Sequence, residues 1–70
     1  MKEYNDLPKS LQLMLEDAVE SDPYDLSPKT LYKNIAGSLM GTPADKVAQI
    51  MEVSYSVVVM IADENEIGLT

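Results

Sequence analysis

Apolar residues recur at helical spacing in four stretches of the chain. Leu7, Leu11, Met14, Leu15 and Ala18 make one stripe, which predicts a helix from near Asp6 to about Glu20. Asp6 is placed to cap its free amides, and Pro8 suits a first turn. Ser21-Asp22-Pro23-Tyr24-Asp25 reads as a turn, because Pro23 disfavours helix at the residue before it. Leu31, Ile35 and Leu39 then recur every four residues, with Tyr32 and Ala36 beside them. They predict a second helix that opens on a Ser27 cap and Pro28 at the first position and runs to about Met40. Gly41 is the expected left-handed terminator. Gly37 lies inside this helix at a cost of about 1 kcal/mol relative to Ala. It either permits a close crossing or weakens the helix there.

Thr42-Pro43-Ala44-Asp45 predicts a third start, with Thr42 as cap, Pro43 at the first position and Asp45 favourable to the dipole. Val47, Ala48, Ile50 and Met51 are its apolar residues. Ser54 then caps a fourth helix from Tyr55 to about Glu64. Ser56 to Ile61 is rich in β-branched residues and competes as a strand. A lone strand would leave its backbone groups unpaired, and no partner strand is legible elsewhere, so helix is preferred. The expected fold is all-α, a compact bundle of four short helices in one domain over residues 1–70.

Composition narrows the chemistry. The 70 residues include no Cys, His, Phe or Trp. A chain this short buries only about 60% of its unfolded surface, and neither a disulfide nor a thiolate or imidazole metal site can reinforce it. Aliphatic packing, or a second copy of the chain, must supply the core. Without His or Cys the commonest general base and the best nucleophile are missing, so no catalytic residue, cofactor or metal is expected. Ser21 to Ser27 lacks the Gly and closing Glu of a calcium loop. Acyl carrier proteins are also short, acidic and helical, but Gly37-Ser38-Leu39 lacks their acid and lies within a helix. The longest apolar run, Val57 to Ala62, is far short of the ~20 residues that span a bilayer. With no signal pattern at the N-terminus, an intracellular, cytoplasmic location is expected.

The formal net charge is −7, from twelve acids and five lysines. Its distribution matters more than its total. Residues 1–25 and 52–70 are acidic, whereas residues 26–51 carry Lys29, Lys33 and Lys46 against Asp45 alone. Glu16, Asp17 and Glu20, with Asp22 and Asp25 beyond, form an acidic run with no intervening base. Such a run is usually a solvated helix face. Read functionally, it imitates a phosphate backbone and occupies a basic groove on a partner, in the manner of small acidic inhibitors made by phages.

Residues 43–63 resemble the helix-turn-helix superfamily. The resemblance sets Ala48 where the two helices touch, Val53 as the plug at the turn and Ser54 as cap of the second helix. It turns Val47, Met51, Val58 and Ile61 inward. Glu52 stands where that family usually has Gly, a position that tends towards positive φ. By the same resemblance Tyr55, Ser56, Val57, Val59, Met60 and Asp63 face outward. DNA binding is the activity the motif implies, with Ser54, Tyr55 and Ser56 toward the groove and Lys29, Lys33 and Lys46 on phosphates. None of the outward residues is basic, however, and base readout uses Arg, Lys, Asn or Gln. An apolar Val57, Val59, Met60 patch fits a protein contact better. The expectation is therefore a small regulatory or inhibitory protein, homodimeric, that binds another protein. Its contacts would be Tyr55, Val57, Val59 and Met60 together with Glu16, Asp17 and Glu20. DNA-binding regulation is the alternative.

Overall fold

A computed structural model describes residues 1–21 and 26–68. Its order is a short 3-10 turn at Tyr4–Asp6, then α1 (Lys9–Glu20), α2 (Pro28–Ser38), α3 (Ala44–Met51) and α4 (Tyr55–Glu64). The chain is all-helical, and among the described residues there is no strand. Val57 to Ile61, the stretch that competed as a strand, lies wholly within α4. Packing decides this: α4 touches each of the other three helices, and tertiary burial overrides the modest helix propensity of Val and Ile.

The core is aliphatic apart from one tyrosine. Leu7, Leu11 and Leu15 come from α1 and the residues before it. Leu31, Tyr32, Ile35, Ala36 and Leu39 come from α2 and its end, Ala44, Val47 and Ala48 from α3, and Val57, Val58, Ile61 and Ala62 from α4. Tyr32 is buried with its hydroxyl satisfied. It donates to the Lys2 carbonyl at 2.6 Å and accepts from Asn65 Nδ2 at 3.0 Å. Asn65 Oδ1 in turn accepts from the Lys2 amide at 2.6 Å. This knot joins the start of the chain, α2 and the end of α4, and the Lys2 ammonium adds an ion pair to Glu64 at 2.6 Å. Tyr4 packs edge-on against Tyr32, with ring centroids 6.2 Å apart.

The helix boundaries follow the expected caps in two cases and depart from them in others. Ser27 and Ser54 both cap, accepting from the amides of Thr30 and Val57. Asp6 does not: it lies in the 3-10 turn, and Pro8 occupies the N-cap position of α1. Thr42 gives no cap either, because Pro43 holds the N-cap position of α3 without a side-chain bond. Gly41 is not left-handed. Instead α2 tightens into amide bonds from Met40 to the Gly37 carbonyl and from Gly41 to the Ser38 carbonyl, a 3-10-like ending that needs no positive φ. The expected turn at Ser21–Asp25 falls mostly on residues 22–25, outside the described residues.

The positive-φ positions belong to glutamates. Glu52 has φ 56° and ψ 44°, and Glu66 has φ 53°. Each sits in the same hydrogen-bond pattern. The Glu52 amide reaches the Gln49 carbonyl at 3.3 Å and the Val53 amide reaches the Ala48 carbonyl at 3.1 Å. After α4 the pairs are Glu66 to Asp63 at 3.2 Å and Ile67 to Ala62 at 2.8 Å. This is the Schellman ending, in which an apolar residue after the left-handed one folds back on the helix. Val53 and Ile67 do so here, both packing against the core.

Candidate protein-binding site

The expected outer ridge of α4 is only partly exposed. Val57 was expected to face outward and is instead 3% exposed, because α4 is enclosed on three sides. Val59 and Met60 are half-buried, and Met60 packs against the core. Tyr55, Ser56 and Asp63 remain exposed, and with Val59 they form the outward strip of α4. On α3, Val47 and Ala48 are buried and Met51 half-buried, while Ile50, the remaining apolar residue of that helix, is 62% exposed. The hairpin thus presents Ile50 and Tyr55 on either side of the left-handed Glu52, with no basic side chain on α4.

The acidic run and the hairpin meet. Asp17 on α1 and Glu52 and Ser54 at the α3–α4 turn border one groove of about 310 Å³. Met14, Ala18, Val53 and Val57, all buried or half-buried, form its apolar floor. Asp17, Ser21, Glu52 and Ser54, all exposed, form its rim. No lysine lines it. Glu16 and Glu20 lie on the exposed side of α1 next to it. The α1 periodicity explains the arrangement, since Leu11 and Leu15 face the core, Met14 and Ala18 flank that stripe, and Asp17 follows outward.

The lysines are not brought together with the acids of the rim. Lys29 and Lys33 are exposed one turn apart on α2, and Lys46 is exposed on α3. The groove itself was not legible in the sequence. Glu52 and Val53 were singled out only for the turn, and nothing in the spacing of residues 14–18 shows that α1 passes beside it. A larger cleft of about 410 Å³ lies between the end of α2, the start of α3 and Ile67–Gly68, with no charged side chain on its wall. Among the described residues no three acidic side chains cluster to hold a metal ion, and no helix is long and apolar enough to cross a membrane. No family, no curated protein and no solved structure matches this chain.

Proposed function

We propose that this chain is a small acidic regulatory protein that binds a basic, amphipathic segment of another protein in the groove between α1 and the α3–α4 turn, and so masks that segment. One observation carries the reading: an apolar floor lies beneath two exposed carboxylates, Asp17 and Glu52, with no base in the wall. Apolar side chains of a partner would cover the floor while its lysines or arginines meet the rim, which is how charge and apolar area combine at such contacts. Glu52 holds its carboxylate there on a left-handed backbone, at a cost of about 1 kcal/mol that a glycine would avoid. Strain of this kind is commonly kept where a side chain has a task. Ile50 and Tyr55 extend the contact along the hairpin.

The test is amide NMR of the full chain with a synthetic amphipathic helix bearing lysines on one face and leucines on the other. Shifts are expected at Asp17, Val53 and Ser54. Asp17→Asn with Glu52→Gln should weaken binding about three- to tenfold, the worth of two exposed charge contacts. Absence of shifts at these residues, or equal shifts with a glutamate version of the peptide, would overturn the reading. The alternative is DNA binding through the α3–α4 hairpin, favoured by the left-handed turn and the Ser54 cap. It predicts a mobility shift at low salt that fades steeply as salt rises.

A further inference from the structure

The groove leaves three exposed apolar side chains unexplained: Leu13, Met1 (74% exposed) and Met40 (77%). Leu13 and Met40 lie on, or just beyond, two helix faces whose charges are opposite, and Met1 lies beside Met40. On the outer side of α1, Leu13 precedes Glu16, Asp17 and Glu20, all exposed. On the outer side of α2 the order is reversed: exposed Lys29 and Lys33 precede exposed Gly37, with Met40 just beyond the helix. Residues 26–44 contain no acid at all.

Positions four apart rise about 6 Å along a helix. Set antiparallel, the two faces therefore keep step: Leu13 falls on Gly37, Asp17 on Lys33, and Glu20 and Ser21 beside Lys29. Gly37 supplies a place for Leu13. A Cβ added there would meet no atom within 4 Å, and the bare backbone opens on a hollow of about 180 Å³ walled by Met1, Ala36, Met40 and Ile67, with Asn65 at its side. We infer that the outer face of α1 in one copy docks antiparallel on the outer face of α2 in a second copy, with Leu13 seated over Gly37. Each copy carries both faces, so the contact can repeat about a two-fold axis or extend head to tail. Asp17 serves this contact and the groove rim alike. A basic partner and a second copy therefore compete, a consequence that rests on the function proposed above, whereas self-association does not.

Sedimentation equilibrium of the full chain and two exposed-surface variants tests it. Asp17→Lys with Glu20→Lys, and separately Lys29→Glu with Lys33→Glu, should each be folded by circular dichroism and monomeric. An equimolar mixture should associate again, because the exchanged charges are complementary once more. Leu13→Gln should weaken association of the otherwise unaltered chain about tenfold, as expected for losing a central apolar anchor. A wild-type chain that stays monomeric, charge variants that still associate alone, a mixture of folded variants that stays monomeric, or an unaffected Leu13→Gln would each overturn the contact. Lysine-peptide shifts measured on the Lys29→Glu with Lys33→Glu variant, which keeps Asp17 and Glu52 and is expected to be monomeric, report on the groove alone. Their absence in that variant, with re-association of the mixture intact, would remove the function and leave the dimer.

Discussion

α1 and α4 are similar in length and opposite in kind. α1 buries a narrow stripe, Leu11 and Leu15, and turns Leu13, Glu16, Asp17 and Glu20 to solvent. α4 buries Val57, Val58, Ile61 and Ala62 and half-buries Val59 and Met60, because it contacts every other helix. The difference separates two tasks that the sequence made look like one. α4 is the keel of the fold, and most of its apolar residues serve packing. α1 and the turn before α4 border the open groove that is proposed to take a partner.

The largest expected effect breaks this contrast if it fails. Val57→Asp would bury an unpaired carboxylate and cost about 3–5 kcal/mol, enough to unfold so small a domain, whereas Tyr55→Asp two residues earlier should stay within about 0.5 kcal/mol of wild type. Urea denaturation distinguishes them, and equal stabilities would mean that Val57 is not enclosed. Glu52→Gly sharpens the contrast from the other side. Relief of the left-handed backbone should raise stability by about 1 kcal/mol while weakening the lysine peptide, a trade of activity for stability seen wherever strain is functional. A smaller gain, about 0.5–1 kcal/mol, is expected from Gly37→Ala, since the helix improves and nothing occupies the space of the new methyl. A slight effect concerns alkaline pH. Burial, and then the nearby Glu16 carboxylate, raises the Tyr4 phenol above its ordinary 10.0. A raised acid stabilises the fold fully below its unfolded value and loses that contribution as pH climbs through its folded value. The urea midpoint should therefore begin to fall as pH passes 10, and Tyr4→Phe should remove that part of the fall.

Much of the architecture was legible because it rests on period and punctuation. The four helices, the Ser27 and Ser54 caps and the inward places of Leu11, Leu31, Ile35, Val47, Val58 and Ile61 all follow from spacing and local chemistry. Where the reading failed, the deciding force was not local. Val57 lies in the core and not on the expected surface because the number of neighbours around a helix is a property of the assembled bundle. Gly41 and Glu52 diverged from their types for a related reason. A chain of i to i+3 amide bonds ends α2, while the return of Val53 to the core forces the left-handed angle onto whatever residue precedes it. Of the proposed binding site, the acids were visible as a run, but the meeting of Asp17 with the turn depends on how α1 crosses it.

The knot of Lys2, Tyr32 and Asn65 gives the molecule a built-in gauge of its own closure. These residues are 30 and 33 positions apart in sequence on either side of Tyr32, so they meet only once the whole chain has come round. With four tyrosines and no tryptophan present, the part of the near-ultraviolet signal that Tyr32→Phe removes belongs to that enclosed phenol and is a natural clock hand for refolding. It should settle last, after backbone circular dichroism has already recorded the coiling of the individual helices.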